Sequence, residues 1–244
     1  MIFAAKPWPE RTEINVDGRA VSVNVRVNKR ARYYRLSLSR AGEPVLSVPA
    51  SGRWKEARKF LEKQTGWLGQ RLENHPKPVF FEHGVKIPFK GCPVRIVSSA
   101  SIRGQVTIVD DETGPGLLVP GGKAHLARRL TDWLKSEARN ALEERSSFHA
   151  ARLGVSVKTV RVRSQSTRWG SCSRAGVLNY NWRLILAPPF VLDYVAAHEV
   201  AHRCEMNHSD AFWAKVRQTL PKMDEGRAWL KANGPALMAY EPRK

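Results

Sequence analysis

The sequence predicts an α+β fold, with a β-rich N-terminal part that contains one helix, followed by a helical domain with a small sheet. Two patterns indicate this class. Between residues 14 and 119, most apolar residues fall in short runs separated by Gly and Pro, which is typical of strands joined by turns. From residue 122 onward they recur mainly at the spacing of amphipathic helices. We therefore expect two domains, residues 1–121 and residues 122–244.

A β-hairpin is expected at the start of the N-terminal part. Apolar and polar residues alternate over residues 14–21 around Asp17-Gly18, a pair that readily adopts the positive φ angles of a two-residue hairpin turn. The alternation continues over residues 23–27, 34–38 and 45–48. These segments predict a small antiparallel sheet.

Helices and further strands follow. Ser51 is a candidate N-cap for one helix that continues to Asn74. A long amphipathic helix is expected from Lys123 to Leu153, with Gly154 as its stop signal. Strands are expected at residues 85–89, 94–97, 106–109, 117–119, 155–162 and 178–186, with a loop over residues 164–175 and three helices after residue 188.

The composition is that of a globular protein. The chain has 244 residues and is 42% hydrophobic, well outside the range typical of disorder. No segment reaches the about 20 consecutive apolar residues of a membrane span, and the first ten residues lack the apolar stretch of a secretory signal. The three cysteines form no disulfide framework. A cytoplasmic protein without a membrane association is therefore expected.

The charge of the chain is strongly positive. Lys and Arg number 41 against 22 Asp and Glu, which gives a formal net charge of +19. Such a charge attracts anionic partners, including nucleic acids and nucleotides. The basic residues nevertheless form no long contiguous tract, so a highly solvated surface explains them equally well.

The segment from Ala196 to His208 contains the pattern HExxH. Residues four apart lie on one helical face about 5–6 Å apart, so His198 and His202 can present two imidazole nitrogens to one metal ion. Glu199 lies roughly 100° around the helix from His198, beside the ion, where a base can activate water. HExxH arises by chance in a chain of this composition with a frequency of about 0.01.

A hydrolytic zinc site usually has three protein ligands and one open position, and His208 is the candidate third ligand. His208 comes six residues after His202, so the helix must break between them, and Asn207 can adopt the left-handed conformation that ends helices. Ser209 can cap the next helix. Two other interpretations stay open, namely three hydrogen-bonded core histidines and a metal with a purely structural role.

With these motifs in place, the sequence resembles the YgjP-like family of zinc metallopeptidase-type hydrolases, which is related to the SprT-like and WLM groups. The resemblance is strong between residues 163 and 213 and weak over the N-terminal strands. Val200 stands where the family often has Leu. The matching segments are Arg168–Ser173, Asn181–Pro188, His198–His202, Met206–Ser209 and Phe212-Trp213.

The resemblance implies a zincin-like catalytic domain with His198, His202 and His208 as zinc ligands and Glu199 as the catalytic acid and base. In such folds the strand before the active-site helix borders the cleft, and residues 178–186 would be that strand. The candidate substrate-binding residues are Arg168, Asn181 and Arg183; for Arg168 a structural turn packed on Trp169 is the alternative. Nickel, manganese and cobalt are alternatives to zinc.

Three functions are compatible with these features. The leading one is a zinc-dependent peptidase. The second is a metal-dependent nucleotide phosphohydrolase, which gains support if Arg161, Arg163, Arg168 and Arg183 converge on the cleft. The third is a nucleic-acid-associated protease or binding protein that uses the basic charge for docking.

Overall fold

The computed structural model describes residues 8–39, 42–101 and 103–242. It confirms the α+β class, with six helices and several small sheets in these ranges. The chain forms two compact units, which meet in sequence between Pro78 and Val79. The boundary expected at residue 121 falls inside the second unit, between a strand and the longest helix, and it stays a prediction.

The first unit is a four-stranded sheet with two helices. The elements are β1 (Arg11–Val16), β2 (Arg19–Asn28), β3 (Arg35–Leu38), β4 (Pro44–Pro49), α1 (Trp54–Glu62) and α2 (Thr65–Glu73). The sheet order is β1-β2-β4-β3. Asp17 and Gly18 have φ angles of 50° and 81°, so they form the predicted hairpin turn between β1 and β2.

Three predictions for this unit were wrong in detail. The sheet is mixed, because β4 pairs with β2 in parallel and with β3 in antiparallel orientation. The single expected helix is two helices, α1 and α2, broken at Lys63 and Gln64. Ser51 is not an N-cap, since α1 begins after Arg53, which makes no capping hydrogen bond through its side chain.

The second unit begins with a strand-rich layer and the long helix. The four predicted strands between residues 85 and 119 form one sheet in the order β6-β7-β9-β8. The long helix α3 spans Gly122–Leu153 and ends at Gly154, whose φ of 65° is the predicted stop. The strands are β5 (Val79–Phe80), β6 (Lys86–Phe89), β7 (Cys92–Ser98), β8 (Thr107–Asp111) and β9 (Gly114–Val119).

A three-stranded sheet and three helices follow. The sheet consists of β10 (Thr159–Arg163), β11 (Gly170–Cys172) and β12 (Val177–Asn181), and its order is β10-β12-β11. A 3₁₀ helix, Trp182–Leu186, comes next. The last elements are α4 (Pro189–Ala201), α5 (Asp210–Thr219), α6 (Met223–Met238) and the short strand β13 (Tyr240–Glu241), which pairs with β5.

Two expectations for this sheet are corrected. The strand expected over residues 178–186 ends at Asn181, because the chain turns there into the 3₁₀ helix. β12 also lies in the centre of its sheet, since the supposed loop contains β11, and β11 occupies the edge. The strand that borders α4 is therefore β11.

Helix α4 lies in the core of the second unit. Nine of its residues are buried, in a cluster with side chains from α3, β12 and the 3₁₀ helix. Pro189 is its first residue, as predicted from Pro188-Pro189. No helix in the described ranges has the length and apolar character that a membrane crossing needs.

A chain of polar contacts connects α3, α4 and α5 inside this core. Asp193 of α4 accepts hydrogen bonds from Arg145 Nε at 2.5 Å and from His149 Nε2 at 2.8 Å. The other imidazole nitrogen of His149 lies 2.7 Å from the hydroxyl of Thr219. Burial raises the pKa of Asp193, but the bonds from His149 and Arg145 outweigh it, so the pKa lies below its usual range.

We predict that Asp193→Asn lowers the free energy of unfolding by about 2 kcal/mol at neutral pH, because it removes the charge that accepts hydrogen bonds from two α3 side chains. The native carboxyl has a depressed pKa, so its contribution is present above the unfolded pKa and lost as the pH falls through the native one. Denaturant unfolding of both proteins between pH 7 and pH 3 measures the difference, which should shrink on acidification.

Asp132→Asn is the matched control. Asp132 pairs with Arg128 at 3.8 Å on the exposed surface of α3, where such pairs contribute about 0–1 kcal/mol. Equal destabilisation by the two substitutions would contradict a special role for Asp193.

Candidate metal centre

Three imidazoles converge at the end of α4. The side chains of His198, His202 and His208 each offer a nitrogen, and these atoms all lie within 4.8 Å of one another. Nε2 of His198 and Nε2 of His208 are 3.0 Å apart. Two ligands of a tetrahedral zinc ion, at 2.0–2.1 Å from the metal, are about 3.3 Å apart, so this spacing suits a shared ion.

The turn after α4 produces this convergence. The helix ends at Ala201 and His202 is its C-cap, so the predicted break before His208 is present. Asn207 is not the cause of the break, because in the described ranges only Asp17 and Lys90 have positive φ among residues other than glycine. The amides of Arg203 and Cys204 instead donate to the carbonyls of Val200 and Ala201, three residues earlier.

The orientation of His202 is fixed by the main chain. Its Nδ1 lies 3.0 Å from the carbonyl oxygen of Glu205, so Nδ1 carries the proton and donates it. Nε2 is then the unprotonated nitrogen that a metal requires. His198 has no such bond, and its Nδ1 is buried without a partner in the described part of the chain.

Helix α5 supports the three imidazoles from behind. The hydroxyl of Ser209 accepts a hydrogen bond from the amide of Phe212, as the capping prediction requires. The fully buried ring of Phe212 then lies 4.5 to 4.9 Å from the three imidazole rings, measured between centroids. Trp213 lies 5.7 Å from His198 and carries the guanidinium of Arg227, 4.5 Å above its ring.

The surroundings of His198 and His202 favour the neutral form of both imidazoles. Burial, and then the neighbouring His202 and His208 and the charge of Arg227, lower the pKa of His198 to about 3. Burial and His208 also lower the pKa of His202, against the opposite effect of the Glu205 carbonyl. Neutral imidazole is the form that binds metal ions.

Glu199 is buried beside the imidazoles and lines the same cleft. Burial raises the pKa of its carboxyl to about 8, and the charge of Arg168 acts in the opposite direction. No hydrogen bond links the carboxylate to another residue in the ranges that the structure describes. Its oxygens therefore remain available to a molecule in the cleft.

Gly170 of β11 fixes the position of this carboxylate. A Cβ atom at Gly170 would lie 2.4 Å from Oε1 and 2.7 Å from Cδ of Glu199, closer than non-bonded atoms approach. The β11 backbone and the carboxylate are therefore in direct contact. The sequence predicts only a loop at Gly170, because nothing in the local pattern indicates which residue lies opposite it.

Strand β11 presents an open edge to the cleft. Trp169 and Ser173, on either side of it, form backbone hydrogen bonds with Asn181 and Val177. In an antiparallel ladder, residues alternately point their N–H and C=O groups toward the partner strand and away from it. In β11 the residues whose groups point away from β12 are Gly170 and Cys172, and both line the cleft of about 250 Å³.

Cys172 supplies a half-buried thiol to this cleft. Burial, together with the charge of Glu199, raises the pKa of the thiol against the effect of Arg203. A raised thiol pKa disfavours the thiolate, the nucleophilic form of cysteine. Cys172 is therefore a poor candidate for a nucleophile.

The three candidate substrate-binding residues lie in different surroundings. Arg168 is exposed, and its charge acts on Glu199. Asn181 is fully buried and donates to the carbonyls of Gln165 and Arg168, which secures the loop before β11. Arg183 is also buried, donates to the carbonyl of Tyr240 and stacks on Trp182. Neither Asn181 nor Arg183 lines the cleft.

The proposed convergence of four arginines on the cleft is absent. Arg161 and Arg163 lie on β10, which is the opposite edge of the sheet from β11. Arg183 is buried in the core. Of these four, only Arg168 influences the pKa of Glu199.

The donor set fits a divalent transition metal. Three neutral imidazoles suit zinc, nickel, copper and related first-row ions. The hydrogen bond from His202 Nδ1 to the main chain and the aromatic support behind the rings are the kind of outer contacts that orient metal-binding imidazoles.

Comparisons with known proteins show which family and which solved structure this chain is similar to. The profile of a family described as YgjP-like, metallopeptidase domain, matches residues 32–233. Among solved structures, the metallopeptidase zymogen of Pyrococcus abyssi abylysin is 22% identical over 37% of this chain and 93% of that chain, with a TM-score of 0.34. A search of curated proteins gave no match.

We predict that the protein binds one divalent ion per chain and that His202→Ala weakens this binding by more than about 100-fold. Removal of a residue that only supports a ligand costs at most about 100-fold in affinity, so a larger loss is expected when the ligand itself is removed. Metal content after dialysis and calorimetric titration of the metal-free protein with zinc measure the effect. His125→Ala, on the exposed surface of α3, is the control and should bind as tightly as the wild type. Undiminished binding by His202→Ala would reject the ligand assignment.

Proposed function

The chain belongs to the YgjP-like metallopeptidase family, and from this membership we propose that it is a zinc-dependent peptidase in which Glu199 acts as the general base. Membership of this family supports the assignment of the chain as a metal-dependent enzyme that cleaves peptide bonds. The observation that carries the finer assignment is the presence, in one cleft, of three converging imidazoles and a buried carboxylate that has no hydrogen-bond partner in the described chain.

His198, His202 and His208 would hold the ion. A divalent metal bound there supplies a Lewis acid and lowers the pKa of water. Zinc is the ion proposed, because a set of three imidazoles with an open fourth position is typical of catalytic zinc. Phe212 supports the rings, so the ligands are oriented before the metal arrives.

Glu199 takes the proton from the attacking water and later gives it to the leaving amine. Its buried position favours proton uptake, because burial raises the pKa of its carboxyl. The contact with Gly170 restricts where the carboxylate can lie. Arg168 is the proposed anchor for an anionic group of the substrate, since it is exposed and close enough to act on Glu199.

The β11 edge is the proposed binding surface for the substrate backbone. An extended peptide can add to an exposed edge through main-chain hydrogen bonds, which do not depend on the side chains of the peptide. The free N–H and C=O groups of Gly170 and Cys172 would pair with it. Because Gly170 also contacts Glu199, a peptide held on this edge lies next to the proposed base.

We predict that Glu199→Gln retains the bound metal and loses about 10²–10⁴-fold in turnover, since general base catalysis contributes a factor of this size. Cleavage of unstructured proteins such as casein, followed by mass spectrometry, measures the rate, and a panel of nucleoside triphosphates is tested in parallel. Unchanged cleavage by Glu199→Gln would remove Glu199 from the mechanism. Phosphate release without peptide cleavage would favour the phosphohydrolase instead.

We further predict that Gly170→Ala keeps the metal and lowers kcat by about 100-fold. The added methyl group displaces the Glu199 carboxylate, and a small misplacement of a catalytic group costs a factor of about this size. The control is Gly66→Ala in α2, where a Cβ meets no atom within 4 Å. Equal kcat in Gly170→Ala and wild type would show that the position of Glu199 is not restricted by β11.

A further inference from the structure

The first unit carries a long stretch of uncompensated positive charge. From residue 18 to residue 42 the sequence has seven Lys and Arg and no Asp or Glu. Five of these cations lie in the last residues of β2, in the connection that follows it and at the first residue of β3, and all five are exposed. They are Arg26, Lys29, Arg30, Arg32 and Arg35, and together with Tyr33 we name them the β2–β3 patch.

Strand register places two of these cations side by side. Ser47 of β4 is paired with Arg26 on one side and with Arg35 on the other. Paired residues share a sheet face, so both guanidinium groups leave the same face, about 10 Å apart at their backbones. Leu46 and Val48 point to the opposite face, into the core with α1 and α2. The face that carries the two arginines is therefore the outer one.

The connection between β2 and β3 presents an aromatic ring beside these charges. Tyr33 is 82% exposed. Its neighbour Tyr34 points inward, where its hydroxyl accepts from the amide of Arg53 and donates to Glu56. Tyr34 thus secures this connection to the start of α1 and leaves Tyr33 on the surface.

The patch has no internal counter-charge. In the described ranges none of its five cations forms an ion pair with a carboxylate. The acidic residue on the outer face of β1 is Glu13, which pairs with Ser22, four residues before Arg26 on β2. Four residues along a strand separate it from Arg26 by about 13 Å.

We propose that the β2–β3 patch binds single-stranded nucleic acid, with Arg26 and Arg35 on the phosphates and Tyr33 stacked on a base. A basic surface that tracks the backbone, combined with an exposed aromatic side chain, is the combination that binds unpaired strands without sequence preference. An acidic membrane surface would neutralise the charges but would offer Tyr33 no base on which to stack. The proposal is independent of the peptidase chemistry, because its test uses no cleavage.

The test uses the full-length protein and fluorescent 20-nucleotide oligonucleotides, dT20 and U20, with fluorescence anisotropy measured over a series of salt concentrations. Arg26→Gln combined with Arg35→Gln should weaken binding and reduce the slope of log K against log salt by about 1.4, since each phosphate contact on a single strand contributes about 0.7. Tyr33→Ala should weaken binding about fivefold or more at an unchanged slope, because stacking releases no counterions.

The matched control is Lys59→Gln combined with Lys63→Gln. It removes the same charge from exposed positions on α1 and just after it, on the opposite side of the sheet from Arg26 and Arg35. This control should bind like the wild type, and thermal melting should show that all variants are folded. The proposal is overturned by equal loss in the control and patch variants, by tighter binding of duplex than of single strands, or by binding to acidic phospholipid vesicles but to neither oligonucleotide.

Discussion

The whole site depends on the burial of helix α4. Nine of its residues are buried in the core of the second unit. An apolar helix of this kind cannot shift or rotate without breaking packing on several sides at once. The few polar groups that it carries are therefore held in fixed directions. Glu199 of this helix and His202, its C-cap, are both buried, and both line the cleft.

The parts of the fold that sequence predicts well are those determined by neighbouring residues. The Asp17-Gly18 turn, the stop at Gly154 and the Ser209 cap are local, and all three are present. The parallel pairing of β2 with β4 joins segments that are far apart in the chain, so alternation alone could not reveal it. β11 has three small residues without an apolar pattern, and only its partner β12 makes it a strand.

The same division applies to the candidate site. HExxH places two imidazoles on one face of any helix, so the convergence with His208 needed only one additional turn. Asn181 and Arg183 are polar residues and were predicted to bind substrate, yet both are buried and support the backbone. Composition also does not reveal where charge collects. The net charge of +19 suggested a basic cleft, whereas an exposed basic cluster, without ion pairs among the residues that the structure describes, lies on the sheet of the first unit.

The hydrogen bond between His202 and the carbonyl of Glu205 has a consequence for how the site tolerates mutation. The acceptor belongs to the main chain, so it is present whatever side chain occupies position 205. Substitutions there are neutral for the tautomer of His202 so long as the turn keeps its shape. Insertions, deletions or a proline in this turn would disturb the tautomer of His202, because they move the carbonyl acceptor itself. The site therefore tolerates changes in the composition of this segment better than changes in its length.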